Sequence, residues 1–230
     1  MSTVRAVLLD AFGTLVALEP PAPLLRREVE RRTGVDVGEE RAVAAMRAEI
    51  SYYLEHHLEG RDERAVDLLR DRCAEEVRRT LALDGLSHAH ARAAMLAALR
   101  FRAFPDAAPA LGALRERGVR LVAVSNWDAT LPQALAAAGL AQLLDATVSS
   151  AAVGAAKPAR AVFEAALAAA GCGHEEAFHV GDSPGSDVAG ARAAGIRVAL
   201  LDRDGDLPRP PAGVPRISSL ESLPSVIWPA

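Results

Sequence analysis

Short apolar runs alternate with helical segments along most of this sequence, and the alternation narrows the folds available to the chain. Five runs have the length and composition of buried strands and end at turn residues: residues 4–9, 120–125, 146–149, 177–181 and 198–201. Alanine-rich helical segments lie between the later runs, at residues 107–117, 131–138, 159–170 and 188–194. This order predicts an α/β fold, with a doubly wound, Rossmann-like parallel sheet that helices cover on both faces.

The alternation stops between Pro20 and Pro105, where the sequence reads as helical throughout. Apolar side chains recur there at helical spacing in two stripes: Val43, Met46, Ile50, Tyr53 and His57, then Val66, Leu69, Cys73, Val77 and Leu81. Amphipathic helices of this kind pack on one another, so we expect an all-helical cap inserted into the sheet-bearing core. We assign residues 1–15 and 103–230 to the core and residues 16–102 to the cap. The proline-rich tail from Pro208 has no pattern that predicts a helix or a strand.

The composition excludes several classes of protein. The chain has 230 residues, of which 50% are hydrophobic, and this is enough to bury a core and disfavours disorder. Its formal net charge of -4 gives no basic footprint for nucleic acid or an anionic membrane. The two cysteines lack metal-ligand spacing, and no basic leader with a long apolar stretch precedes the first strand. We therefore expect a cytoplasmic protein with reduced thiols.

Polar residues stand at or just beyond four of the predicted strands: Asp10, then Ser125 with Asn126, then Lys157, then Asp182 with Asp187. Ligands of open parallel sheets bind beyond the carboxyl ends of the strands, so these side chains should meet at one edge. A nucleophilic carboxylate, a hydroxyl, an ammonium and a carboxylate pair are the parts that phosphoryl transfer through an aspartyl intermediate needs. Lys157 is the only lysine in an arginine-rich chain, which disfavours a replaceable surface charge.

In this order, these residues resemble the four motifs of the haloacid dehalogenase superfamily, with a helical cap inserted after the first motif. The resemblance covers the whole chain and implies that Asp10 is a covalent nucleophile. It implies that Thr14 hydrogen-bonds near the Asp10 carboxylate and that Gly13 permits the tight turn beside the substrate. Ser125 and the neighbouring asparagine would bind the transferred group. The lysine would neutralise charge on the nucleophile and on the transition state.

The resemblance also implies a Mg²⁺ cofactor. Asp10, Asp182 and the backbone carbonyl of Phe12 would hold the ion, with Asp187 as a further ligand or as a partner one shell out. Asp187 has an alternative role as the cap of the helix that begins near residue 188. Asp128 stands just before a helical segment, and we expect it to be an N-cap.

Phe12 departs from the phosphatase pattern. Phosphatases of the superfamily normally carry a second aspartate at this position, which protonates the leaving group and activates the hydrolytic water. Phenylalanine does neither, and general acid–base assistance is worth about 10²–10⁴-fold. In the cap, His56 lies off the apolar stripe and is our candidate to face the substrate and supply a proton. Tyr53 and His57 continue the stripe and are expected to pack, and His179, inside a strand, is expected to be structural.

Several functions fit these residues. We expect a Mg²⁺-dependent phosphatase of a small, anionic phosphorylated metabolite. The alternative is a metal-independent 2-haloacid dehalogenase, because dehalogenases of the superfamily also carry an aromatic residue at the Phe12 position and halide leaves without a proton. Asp182 speaks against this alternative, since an unpartnered carboxylate near Asp10 is costly unless a cation lies between the two. A catalytically degraded binding protein is a third hypothesis. Schiff-base phosphonate chemistry is excluded because the cap contains no lysine.

Overall fold

A computed structural model describes residues 3–229 of the chain. These residues divide into two compact units: the segment Leu18–Phe101 forms one unit, and the residues on either side of it form the other. We call them the helical unit and the sheet unit.

The strands are, in chain order, β1 (Ala6–Leu9), β2 (Val16–Leu18), β3 (Phe101–Ala103), β4 (Arg120–Ser125), β5 (Ala146–Ser149), β6 (Ala177–Gly181), β7 (Arg197–Leu201) and β8 (Arg216–Ile217). The α-helices are α1 (Pro21–Thr33), α2 (Glu39–His56), α3 (Glu63–Leu81), α4 (His88–Ala98), α5 (Ala107–Glu116), α6 (Leu131–Ala137), α7 (Ser150–Val153), α8 (Arg160–Ala170), α9 (Ala189–Ala193) and α10 (Leu223–Ile227). A π-helical turn, Pro184–Val188, precedes α9.

Six strands form the main sheet in the order β5-β4-β1-β6-β7-β8, and every neighbouring pair is parallel. Strands β1 and β6 are buried at every residue, as expected of parallel strands covered on both faces. One face packs apolar side chains of β1 and β4 against α8 and α9, and the cluster includes the fully buried Phe163 of α8. The predicted Rossmann-like α/β fold is confirmed.

The order of the strands places their polar ends together. Strand β1 lies between β4 and β6, with Leu8 paired to Val122 on one side and to His179 on the other. The chain therefore winds outward from β1 in both directions, and the switch between the directions occurs at the carboxyl end of β1. Asp10 stands at that point, directly after the strand.

The helical unit is built on α1 to α4, which enclose a common apolar core. The predicted stripe on α3 is confirmed, because its five side chains, from Val66 to Leu81, are all buried. The stripe predicted on α2 was wrong in part: Val43 is exposed, whereas Glu49 is buried. The buried face of α2 is turned toward its alanines, Ala42 and Ala45, because small side chains let neighbouring helices approach closely. None of the helices within residues 3–229 is both long and apolar enough to cross a lipid bilayer.

Two short strands lie at the two ends of the region that reads as helical, β2 just before it and β3 within its last residues. Strands β2 and β3 pair with one another outside the main sheet, where the chain passes between the two units. They run in opposite directions, because the Phe104 N–H donates to the Leu15 carbonyl and the Glu19 N–H to the Arg100 carbonyl. The tail without an assignment also adds an edge strand, β8, and the helix α10. Runs of two and three residues are too short to show a strand period.

Candidate active site

Asp10 lies at the centre of a buried polar cluster at the carboxyl end of β1. Its backbone N–H donates to the carbonyl of Val180 in β6, at 2.9 Å, so the position of the residue is fixed by the sheet. Its carboxylate oxygen Oδ1 accepts from the Ser125 hydroxyl at 3.0 Å and from Lys157 Nζ at 2.5 Å. Both of these contacts go to one oxygen, and no further hydrogen bond of the carboxylate is present among the described residues.

Lys157 places its ammonium between two carboxylates. Nζ lies 2.5 Å from Asp10 Oδ1 and 2.6 Å from Asp187 Oδ1, and the residue is only 4% exposed. Burial by itself disfavours the charged ammonium. The attraction and hydrogen bonds of the two carboxylates outweigh that cost and raise the pKa of Lys157. The side chain is therefore a fixed positive charge at the Asp10 carboxylate.

Asn126 holds the backbone of Lys157. Its Oδ1 accepts from the Lys157 N–H at 2.7 Å, and its Nδ2 donates to the Lys157 carbonyl at 3.1 Å. The following peptide bond, between Lys157 and Pro158, is cis. The sequence predicts that Asn126 binds the transferred group, and that role stays a prediction. The contact described here was not foreseen, and it makes Asn126 a positioning group for the lysine.

Asp187 is the second carboxylate on Lys157, and both of its oxygens are bonded. Oδ1 meets Lys157 Nζ and, at 3.0 Å, His179 Nε2; Oδ2 accepts from the Ser183 N–H at 3.0 Å. Burial disfavours the carboxylate, but the charge of Lys157 and the hydrogen bond from His179 hold the pKa of Asp187 well below its usual range. The alternative role as a helix cap is not seen, because no side chain caps α9.

Asp182 follows β6 directly, and its pKa is shifted in the opposite direction to that of Asp187. Its pKa is raised to about 7, first by burial and then by the like charges of Asp10 and Asp187. Three carboxylates, on Asp10, Asp182 and Asp187, each offer an oxygen within 4.8 Å of the others. One ammonium does not balance three acidic groups, and carboxylate oxygens are the ligands that Mg²⁺ prefers. These residues fit a divalent cation, with Asp187 the least suited to direct ligation because its oxygens are already bonded.

The turn after Asp10 approaches this cluster closely. Gly13 has a φ of +83°, and a Cβ added there would lie 2.0 Å from Asp182 Oδ2, so only glycine fits. This is the tight turn that the sequence predicts. Thr14 differs from its prediction: its hydroxyl is fully buried and has no hydrogen-bond partner within residues 3–229. The side chain of Phe12 is half exposed, at 50%.

Asp128 does not cap α6 as predicted. The residue at the helix entry is Thr130, and the helix starts at Leu131. Asp128 Oδ1 accepts from the Thr130 N–H at 2.7 Å and from the Thr130 hydroxyl at 2.5 Å. This two-residue spacing is a side-chain turn of the aspartate type, which satisfies the backbone before the helix begins.

His56 belongs to the helical unit, where it ends α2. Its ring stacks on Tyr52, with 4.0 Å between the ring centroids, and its Nδ1 is hydrogen-bonded to the Tyr52 carbonyl at 2.9 Å. Its placement at a substrate stays a prediction. His57 is buried, in keeping with the packing role expected for it.

Two contacts beside the cluster were not predicted. His179 is buried against Phe163, as expected of a structural histidine, and it also contacts Asp187 directly. Arg203 follows β7 and donates to the Thr14 carbonyl, at 2.8 Å, in the turn after Asp10. The rule that placed the other site residues at strand ends also applies to Arg203, since it stands two residues beyond Leu201.

Comparisons with known proteins agree with this geometry. A family model for haloacid dehalogenase-like hydrolases matches residues 4–195. The phosphoserine phosphatase of Thermus thermophilus is 38% identical over 127 residues, which are 54% of this chain and 51% of that enzyme, so the chain spans about half the length of this relative. The fold is shared with a HAD phosphatase from Thermococcus onnurineus (TM-score 0.67, 23% identity, 97% and 98% of the two chains). It is also shared with L-2-haloacid dehalogenase from Xanthobacter autotrophicus (TM-score 0.71, 23% identity, 98% of each chain).

Proposed function

Because the chain belongs to the haloacid dehalogenase-like hydrolases, we propose that it is a Mg²⁺-dependent phosphatase of small anionic phosphate esters or anhydrides. The observation that carries this proposal is the excess of carboxylate at the site. Asp182 faces Asp10 and Asp187, and the only ammonium among them is Lys157. A hydrolase that works without a metal has no use for this arrangement, whereas a bound divalent cation offsets it. The phosphatase relative from Thermus thermophilus supports the same assignment.

We assign the attack on phosphorus to Asp10, which the sheet holds in place. Because Ser125 and Lys157 both occupy Oδ1, the attacking oxygen is Oδ2. The new Oδ2–P bond forms as the bond from phosphorus to the leaving oxygen breaks, and the leaving group departs with that electron pair. Water then attacks the aspartyl-phosphate at phosphorus, which releases inorganic phosphate and restores the carboxylate.

Lys157 and Ser125 stabilise the charges in both steps. The lysine ammonium offsets negative charge that gathers on the phosphoryl oxygens, and because it is fixed before the reaction it needs no rearrangement. Asp10, Asp182 and the Phe12 carbonyl would hold Mg²⁺, with Asp187 as a partner one shell out, and the ion would supply Lewis-acid stabilisation of the phosphoryl group.

Phe12 restricts the substrates that this site turns over well. Its side chain has no proton to give, so fast turnover needs a leaving oxygen that departs as a stable anion. Acyl phosphates and aryl phosphates meet that condition, and alkyl phosphates do not. We therefore place acyl phosphates first among the natural substrates to screen.

The second candidate reaction is dehalogenation of a 2-haloacid through an alkyl ester on Asp10. The observation in its favour is again Phe12, since a halide leaves without a proton. The same buried nucleophile and the same lysine serve this reaction, but Asp182 then has no role.

The experiment that tests the proposal is hydrolysis of p-nitrophenyl phosphate with Mg²⁺ and with excess chelator. We expect turnover that requires the metal, because p-nitrophenolate leaves without a proton. Asp10→Asn should abolish it, and Asp182→Asn should raise the Mg²⁺ concentration needed for half-maximal rate. Absence of turnover under both conditions, together with halide release from 2-chloropropionate, would replace the phosphatase by the dehalogenase. Turnover that survives in Asp10→Asn would contradict both reactions.

A further inference from the structure

His179 is the one histidine of the sheet unit's main sheet, and its side chain is completely buried. Both ring nitrogens are bonded. Nδ1 lies 3.0 Å from the carbonyl oxygen of Leu8, and Nε2 lies 3.0 Å from Asp187 Oδ1. A carbonyl oxygen and an ionised carboxylate oxygen both only accept, so each ring nitrogen carries a hydrogen and donates in its contact. The edge of the Phe163 ring packs against the imidazole, with 5.3 Å between the centroids.

These contacts close a circuit around the nucleophile. Leu8 belongs to β1 and stands two residues before Asp10. From the Leu8 carbonyl the hydrogen bonds run through His179 to Asp187 Oδ1, from there to Lys157 Nζ, and back to Asp10 Oδ1. The covalent chain from Leu8 to Asp10 completes the ring. Strand β1 therefore positions the Asp10 carboxylate directly. Through the Leu8 carbonyl and His179 it also positions Asp187, the second carboxylate that binds the Lys157 ammonium.

The contacts of Asp187 show what the histidine contributes. The Ser183 N–H holds Oδ2, whereas Oδ1 is held by Lys157 and His179 alone. Without the imidazole, the only group left on Oδ1 is the lysine that the carboxylate has to position. The carboxylate would then turn with the lysine rather than direct it. Gly181 allows the Asp187 carboxylate to lie close to the backbone of β6, because a Cβ at Gly181 would lie 2.1 Å from Asp187 Cγ.

We infer that His179 is a positioning residue for the reaction, which sets the place of the Lys157 ammonium against Asp10 by fixing Asp187. The inference rests on the proposed function in one respect only, namely that Asp10 is the nucleophile. If His179 only filled the core, its replacement would lower activity through lost packing and stability. If His179 positions Asp187, activity depends on the donor at Nε2 in particular.

The two ring nitrogens can be tested separately. In His179→Gln the amide nitrogen takes the place of Nε2 and keeps the donor to Asp187. In His179→Asn the amide nitrogen takes the place of Nδ1 and keeps the donor to the Leu8 carbonyl. His179→Phe keeps the bulk and the contact with Phe163 and loses both donors. The three replacement side chains differ in size and polarity, so the melting temperature of each variant is measured to report its structural cost.

For p-nitrophenyl phosphate with Mg²⁺ we expect the glutamine variant to keep most of the wild-type kcat. The asparagine and phenylalanine variants should lose about 10–100-fold in kcat at little change in KM, since partners of this kind orient a reactive group rather than bind substrate. Equal kcat in the glutamine and asparagine variants would overturn the inference. So would losses of kcat that follow the melting temperatures of the three proteins.

A second measurement does not depend on turnover. Native protein is treated with acetic anhydride, and mass spectrometry follows acetylation of Lys157. We expect slow acetylation in wild type and in His179→Gln, and faster acetylation in the other two variants, because their ammonium is less firmly held. This order tests the inference even where p-nitrophenyl phosphate is not a substrate, so a failure of the proposed function is distinguished from a failure of the positioning role. The same rate in all four proteins would overturn it.

Discussion

Arg203 and Asp106 form a two-pronged ion pair, with Nη1 2.8 Å from one carboxylate oxygen and Nη2 3.0 Å from the other. Nη2 also donates to the Thr14 carbonyl at 2.8 Å, and the guanidinium lies 3.9 Å from the centroid of the Phe104 ring. Asp106 in turn accepts from the Leu220 N–H at 2.9 Å. One arginine thus joins the turn after Asp10 to the start of α5, and the carboxylate of Asp106 extends the network to the C-terminal segment.

Arg203→Met should destabilise the sheet unit and loosen that turn. The substitution leaves the Asp106 carboxylate without its cation and the Thr14 carbonyl without its donor, and a charged hydrogen bond of this kind is worth about 1.5–3 kcal/mol. Urea unfolding should show the loss, and hydrogen exchange should quicken at the amides of residues 13–16. Arg5→Met is the control, because its ion pair with Glu176 is exposed and should cost under about 1 kcal/mol. Equal costs in the two variants would contradict the role given to Arg203.

Gly13→Ala should remove activity. The added Cβ would meet the Asp182 carboxylate at 2.0 Å, so the turn or the aspartate has to move. Gly205→Ala is a matched control, because Gly205 has a similar φ of +80° but no neighbour within 4 Å of an added Cβ. Both variants carry the backbone strain of about 1–2 kcal/mol that a left-handed residue with a side chain costs. Thermal melts and rates measured together separate that shared strain from the collision, and comparable rates in the two variants would refute the close approach.

Lys157→Met should lower kcat by about 10²–10³-fold, the usual cost of losing one preorganised charge at a transition state. It should also destabilise the protein, because Asp10 and Asp187 would face each other without the cation between them. Adding Asp187→Asn to this variant removes one of the two buried charges. We expect the double variant to recover stability in urea unfolding without recovering rate. Recovery of rate would mean that the lysine acts only on the fold.

Glu49→Gln should change the pH dependence of stability. Burial in the helical unit raises the pKa of Glu49 from 4.5 to about 7, against a hydrogen bond with the Cys73 thiol. Between pH 4.5 and about 7 the folded state holds a proton that the unfolded state has released, so stability falls as the pH rises through this range and is level above it.

The variant lacks this slope, and at pH 8 it should be the more stable protein by on the order of 3 kcal/mol. At pH 4 the two proteins should differ little. Melting temperatures at pH 4 and pH 8 provide the measurement, and Glu55→Gln, exposed on the same helix, provides the control. An unchanged difference between the two pH values would show that Glu49 is ionised in the fold.

Phe12→Asp should make the rate less dependent on the leaving group. In wild type we expect p-nitrophenyl phosphate to be hydrolysed far faster than an alkyl phosphate, because the Phe12 side chain has no proton to give to the leaving oxygen. An aspartate at this half-exposed position supplies one, and the alkyl phosphate should gain about 10²-fold or more. The ratio of the two rates is the measurement. A ratio that is the same in both proteins would place the proton source elsewhere.

Much of the sheet unit could be predicted because buried parallel strands leave a simple signal. Strands β4, β5 and β6 have the bounds that their apolar runs predict, and β1 and β7 differ only at their first residues. The convergence of Asp10, Ser125 and Lys157 followed from one rule, since carboxyl ends of parallel strands share an edge. The contacts among these three side chains are those expected of residues at that edge.

The parts of the fold and site that could not be predicted depend on contacts between residues far apart in the sequence. His179 is eight residues from Asp187 but 171 residues from Leu8, and Arg203 is 189 residues from Thr14. The spacing of residues along a helix or strand gives no information about partners this far apart in the sequence. The face of α2 that is buried was also decided by its neighbours, which admit Ala42 and Ala45 rather than the larger Val43. The buried hydroxyl of Thr14 shows the same limit, because a residue type predicts the capacity to bond and not the presence of an acceptor.

The antiparallel pair β2 and β3 has a consequence for the history of such chains. The polypeptide leaves the sheet unit and returns to it at neighbouring positions, so the whole of the helical unit is one excursion with adjoining ends. An excursion of this kind can be shortened, lengthened or exchanged by recombination without reordering a single strand of the sheet. A different helical unit can then be acquired by replacing one contiguous stretch of gene, while the residues at the strand ends of the sheet unit pass unchanged to each descendant.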